Sequence, residues 1–195
     1  MAKRAAGAGR PRSGRVHQAI LQAALEEVAE RGYEGLTIEG IAARAGVGKA
    51  TVYRRWRNRD EVLAAAAATF VRSTGVPDSG DAVSDLRYLL HSTISVFRGF
   101  AGRVLPGLIS AVPRSAGLAA AVREAFVESR RDAVRAVVER AIRRGEFRPD
   151  TDVELALDLL TAPLFYRLLI TGGRVDEEVA PSVVDMVLRG IGVAA

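Results

Sequence analysis

Thr37 to Arg59 reads TIEGIAARAGVGKATVYRRWRNR, and its spacing describes two short helices set at an angle around a glycine turn. Ile38, Ile41, Ala42 and Ala45 recur at helical intervals and so share one face. Gly46-Val47-Gly48 then breaks the pattern where a three- to four-residue turn joins the two halves of a helix-turn-helix unit. Beyond the turn, Val52 and Trp56 stand four apart and face inward, which leaves Lys49, Ala50, Tyr53 and Arg54 on the other side. A basic and aromatic surface on a helix fits the major groove of B-form DNA, so the second helix is the recognition candidate.

Upstream, Arg15 to Arg31 carries Ile20, Leu21, Ala24, Leu25 and Val28 as an apolar stripe with glutamates opposite. Ser13 is placed to cap this helix and Gly32 to stop it. Tyr33 and Leu36 plug the gap beneath it, and Thr37 caps the helix that follows, completing a three-helix head. Residues 1–14 are too polar and glycine-rich to pack and read as a flexible basic arm, suited either to a minor groove or to solubility. Charge is divided unevenly. Residues 1–60 hold 12 Lys+Arg against 6 Asp+Glu, whereas residues 61–195 hold 16 against 17. The positive excess therefore lies with the helical pair, as expected of a segment that meets a polyanion.

Downstream, Asn58 is placed to cap a helix running to about Ser73, with Asp60 and Glu61 favouring its positive end. Gly75 to Gly80 reads as a linker and Ala82 to Gly99 as a new helix. Pro106 and Pro113 bracket a segment expected to be one short helix or irregular. A long helix from about Ser115 ends at Gly145, Asp152 caps a helix to about Ile170, and the last helix runs from Asp176 to about Ile191. No strand periodicity or internal repeat is present, so the expected fold is all-α with about nine helices. The expected division is an arm at 1–14, a helix-turn-helix DNA-binding domain at 15–57, and a C-terminal regulatory and dimerisation domain at 58–195.

Several function classes are excluded. Zero cysteines rule out disulfides and thiolate metal sites, and two isolated histidines, His17 and His91, cannot assemble a metal cage, so no metal or cofactor is expected. Gly48-Lys49 superficially matches a phosphate loop, but Ala43 stands where the loop's first glycine belongs, Ala50 stands where its Ser/Thr belongs, and the preceding segment is helical. GxSxG, HExxH and compact acid-base clusters are missing, so an enzyme is not expected. No apolar run approaches the roughly 20 residues of a membrane span, and the N-terminus lacks the apolar core of a secretory signal, so a cytoplasmic protein is expected.

From Ile20 to Leu63 the chain resembles the TetR family of transcriptional regulators, through the elements IA-x-x-AGV, K-x-T-x-Y-x-x-W and N-R-D-x-x-L. The stretch ELALDLLTAPLFYRLLITG is similar to regulatory domains of that family. The resemblance implies that Lys49 and Ala50 approach base edges, lysine suiting guanine O6/N7 and alanine a thymine methyl. It places Thr37, Thr51, Tyr53 and Arg59 at phosphate contacts, and Gly48 at the recognition-helix start where many members carry a capping side chain. Arg54, Arg55 and Arg57 add charge around the same helix.

Operator binding by such small heads needs two of them about one DNA turn apart, hence a twofold homodimer on a palindromic site. Leu155, Leu159, Leu169, Val183, Val187 and Leu188 on the last two helices can form a seam with their copies or be buried within one subunit, and the resemblance favours the seam. It also implies a ligand cavity, with Phe70, Phe97, Phe100, Phe126 and Tyr166 as candidate lining and Arg130 as a polar handle, suited to an apolar or amphipathic small-molecule effector that releases the DNA. The competing reading is an architectural DNA-binding protein that responds to no effector.

Overall fold

A computed structural model of the chain describes residues 10–70 and 75–191, with side chains from residue 13 onward. Every regular element among them is helical: α1 (Arg10–Arg31), α2 (Ile38–Arg44), α3 (Lys49–Tyr53), α4 (Arg59–Ala67), α5 (Ala82–Arg98), α6 (Phe100–Ala111), α7 (Ala116–Arg123), α8 (Ser129–Arg144), α9 (Val153–Tyr166) and α10 (Val179–Ile191). A π-turn, Glu124–Glu128, lies between α7 and α8 without a break in helical backbone, so the described residues hold nine uninterrupted helical stretches in the expected all-α class. None of these helices is long and apolar enough to cross a membrane.

The described residues fall into two compact units, 10–70 with 106–122 and 75–105 with 123–191. In the first, Ile20, Ala24, Leu25 and Val28 of α1 are buried together with Leu36, Ile41, Val52, Val62 and Leu63. Two caps read from the sequence are formed. Thr37 Oγ1 accepts from the Gly40 amide at 3.0 Å, and Asn58 Oδ1 accepts from the Glu61 amide at 2.9 Å. Arg44 of α2 lies across α1 and pairs with Glu26, Glu27 and Glu30, the Glu27 contact being 2.8 Å. Glu27 is buried, and its Oε2 sits so close to α2 that a Cβ at Gly40 would lie 2.7 Å from it. Gly40 is therefore the residue that lets α1 and α2 close over a carboxylate.

Two expectations are corrected. α1 begins at Arg10, so Ser13 is inside the helix rather than its cap, and residues 10–14 of the expected flexible arm are helical; residues 1–9 of that arm lie outside the described residues. α6 runs straight through Pro106. An interior proline costs about 3 kcal/mol through a lost hydrogen bond and a ring clash. Val104, Leu105 and Leu108 of the same helix are fully buried, each contributing about 1.5–3 kcal/mol, and this outweighs the local penalty.

The second unit packs α5, α8, α9 and α10 around Leu86, Leu90, Ile94, Val134, Val137, Leu157, Leu160 and Val184. Asp81 caps α5 and Asp152 caps α9, while Gly145 closes α8 in the left-handed conformation (φ 76°) that favours glycine. The segment expected to be a linker is fastened to α8 at its end. Arg140 reaches the Pro77 carbonyl, Asp78 at 3.3 Å and the buried Asp85 at 3.1 Å; Arg144 adds a 2.9 Å contact to Asp78, and Glu146 accepts from the Ala82 amide at 3.0 Å.

Candidate nucleic-acid interface

α3 has five residues, far too few to be helical alone in water, so its existence depends on what it packs against. Val52 is fully buried, Trp56 is 8% exposed, and the Trp56 ring stacks on His17 of α1 with centroids 5.0 Å apart. With those two side chains committed inward, Lys49, Ala50, Tyr53 and Arg54 face solvent, and Tyr53 is 53% exposed. Gly48 precedes them in an extended conformation without a side-chain cap. The fold thus brings Gly48, Lys49, Ala50, Thr51, Tyr53 and Arg54 together on one short helix. Thr37 is also exposed, at the start of α2. Gly48, Thr51, Arg54 and Arg55 line an open cleft of about 400 Å³ together with Ser13, Val16 and Val47.

Two candidate arginines are engaged within the head. Arg55 donates to Ser13 Oγ at 2.9 Å and to the Thr51 carbonyl at 3.5 Å, tying the end of α3 to α1. Arg59 donates to the Leu36 carbonyl at 2.7 Å and lies over the Tyr33 ring, 4.4 Å from its centroid, while the Tyr33 hydroxyl donates to Asp60 at 2.8 Å. Neither arrangement was legible from spacing, because each depends on which chain segments meet in three dimensions. Arg54 and Arg57 are exposed. One residue that the sequence reading passed over stands on this surface: Glu39 of α2, whose Oε1 is 2.6 Å from Lys49 Nζ. That hydrogen bond holds the Lys49 ammonium above its ordinary pKa and the Glu39 carboxyl below its own.

The residues nominated for a ligand cavity differ in depth. Phe97 and Phe126 are buried in the second unit, Phe97 edge-on to Phe165 at 4.9 Å. Phe100 is half-buried with Arg103 over its ring, Tyr166 is exposed, and Phe70 belongs to the first unit. Arg130 lines a small cavity with Leu89, Leu90, Ser92, Thr93, Val134 and Thr161. Its volume is about 10 Å³, room for roughly one water. Arg130 donates to the Ala125 carbonyl in the π-turn at 3.4 Å, and burial lowers its guanidinium pKa.

On the last two helices Leu155 and Leu159 are about half exposed, and Leu169, Val183 and Leu188 are partly covered. Val187 is turned into the subunit's own packing. The most exposed apolar side chain there is one the sequence reading did not select, Met186 at 78%, accompanied by Ile170 and Tyr166.

A three-helix head with a solvent-facing, basic third helix, joined to an all-helical C-terminal portion, defines a helix-turn-helix transcriptional regulator. The family model for bacterial regulatory proteins of the tetR family matches residues 20–66, and that for the tetracyclin repressor-like C-terminal domain matches residues 76–187. The chain is 35% identical over 184 residues to the HTH-type transcriptional regulator YdeS of Bacillus subtilis, covering 94% of this chain and 93% of that protein. It is 31% identical over 172 residues to a DNA-binding transcriptional repressor TetR of Mycobacteroides abscessus, covering 87% and 90%. A TetR transcription regulator from Haloarcula marismortui has the same fold, with a TM-score of 0.74 and 24% identity over 92% of this chain and all of that one. The chain belongs to the TetR family of transcriptional regulators, and the families and relatives it matches are regulators, not enzymes.

Proposed function

We propose that this regulator is a cytoplasmic repressor that binds a palindromic operator as a homodimer and is released by a small-molecule ligand. The observation that carries the reading is the division of α3: Val52 and Trp56 are buried while Lys49, Ala50, Tyr53 and Arg54 are presented outward from so short a helix. Lys49 and Ala50 read bases; Thr37, Thr51, Tyr53 and Arg54 hold phosphates. Arg55 and Arg59 fix the head's geometry rather than reaching for the duplex, given their contacts to Ser13, Leu36 and Tyr33. The domain division at 15–57 and 58–195 follows this reading, the first part meeting DNA and the second holding the partner subunit and the effector.

Dimerisation by α9 and α10 is supported by the exposed Leu155, Leu159, Ile170 and Met186, which a second copy would cover. Effector binding enlarges the cavity beside Arg130, whose guanidinium supplies a polar handle, and shifts the dimer to a conformer that no longer matches the operator spacing. Repression rather than activation is supported by the Mycobacteroides abscessus relative, a DNA-binding transcriptional repressor.

In vitro selection from a randomised duplex library, followed by fluorescence anisotropy across a salt series, tests the reading. A palindrome preferred by about a thousandfold or more over random duplex is the expected result. Affinity that is salt-sensitive but indifferent to sequence would refute it in favour of an architectural binder.

A further inference from the structure

Glu39 places a carboxylate on the surface that meets a polyanion, 2.6 Å from the lysine assigned to base reading. Both side chains are more than half exposed, and a pair of that kind contributes little to folding. Its cost in the approach to phosphate calls for a different account. We propose that Glu39 and Lys49 together read a single G·C pair, Lys49 on the guanine and Glu39 on the cytosine; this rests on the operator-binding reading above.

The argument is one of matching separations and signs. In the major groove a guanine presents O6 and N7 as acceptors and its cytosine presents the N4 amino group as a donor. O6 and N4 are joined by a hydrogen bond and so lie about 2.9 Å apart. Lys49 Nζ and Glu39 Oε1 are separated by nearly the same distance, so the two polar atoms can lie against the two base atoms side by side. An ammonium has three protons; one stays on Glu39 and two remain for O6 and N7. The carboxylate accepts from N4.

The other three pairs fail in different ways. A C·G pair sets the ammonium against the N4 donor and the carboxylate against O6, reversing both contacts. An A·T pair sets the ammonium against the N6 donor. A T·A pair has the right signs, O4 facing lysine and N6 facing glutamate, but carries a methyl group where guanine has N7. The resulting order is G·C first, T·A second, A·T and C·G last. Glu39 is thus a specificity residue that lowers affinity for DNA in general and raises discrimination at one position of each half-site.

The test uses the full chain and the duplex obtained by selection, with each half-site position changed through all four pairs. The wild-type protein is expected to favour G·C over C·G by about tenfold or more at one position. In Glu39→Gln, whose amide both donates and accepts, that ratio falls below about threefold while binding to random duplex becomes tighter, one negative charge having been removed. Retention of the wild-type order in Glu39→Gln would overturn the proposal, as would a wild-type protein that accepts C·G as well as G·C at every position. A protein with no preference for any duplex over random sequence would overturn the operator-binding reading first, and this proposal with it. Circular dichroism melting of Glu39→Gln alongside the wild type separates lost reading from lost folding.

Discussion

Replacing Val52 by alanine probes the relation on which α3 depends. The side chain is fully buried, and the change removes two methyl groups from it. At about 0.8 kcal/mol per buried methylene-sized group the lost transfer free energy is about 1.6 kcal/mol. A residual void of about 50 Å³, at about 24 cal/mol per Å³, adds about 1 kcal/mol. Val52→Ala should therefore destabilise the head by about 2–3 kcal/mol, a substantial part of the 5–15 kcal/mol that holds a typical domain together. Urea unfolding followed by tryptophan fluorescence suits the measurement, because Trp56 is the single tryptophan and stacks on His17 within the same unit. Operator affinity should fall in the same variant, since the helix loses its main anchor. Tyr53→Ala is the matched control: at 53% exposure it should change stability by less than about 0.5 kcal/mol yet weaken operator binding. The reasoning is refuted if Val52→Ala unfolds at the wild-type urea midpoint, or if Tyr53→Ala loses as much stability as Val52→Ala.

Met186→Glu, at a side chain 78% exposed, should leave the melting temperature of the fold close to wild type and convert the dimer to monomer in sedimentation velocity; a persistent dimer would move the seam off this face of α10. Arg130→Met should weaken binding of a carboxylate-bearing effector by about tenfold or more while leaving operator affinity intact, measured by calorimetry and anisotropy; equal affinity in both proteins would remove Arg130 from the ligand site. Glu154, held below its ordinary pKa by Arg135 and Arg131, and Asp78, held down by Arg144, should make the fold acid-sensitive. Because their folded pKa values are depressed, the stability they add is present above the unfolded values of 4.5 and 3.8 and is lost as pH falls through the lower folded values. The melting temperature should hold from pH 8 to about 5.5 and decline below about 4.5, and a decline beginning near pH 7 would point to other groups.

Much of the fold was legible because the informative residues act locally. Thr37, Asn58 and Asp152 each bond an amide three residues on, so their capping roles follow from sequence order alone. Val52 and Trp56 could be assigned inward because a four-residue interval fixes a shared face. Pro106 misled for the complementary reason: its local cost is real, but burial of Val104, Leu105 and Leu108 is decided by distant partners. The site was legible in type and less so in detail. Spacing could place charge around α3, whereas the docking of Arg59 on Tyr33, of Arg55 on Ser13 and of Lys49 beside Glu39 joins residues 26, 42 and 10 positions apart. The exposed Met186 was missed because periodicity separates faces without saying which of them the chain itself will cover.

The arginine clasp from α8 onto Pro77 and Asp78 changes what the segment before α5 is mechanically. A glycine-rich tether with a loose end would absorb a displacement of its neighbours as slack. Here Arg140 and Arg144 tie residues 77 and 78 to α8, so a displacement of that helix would pull on the start of α5 instead of being taken up before it.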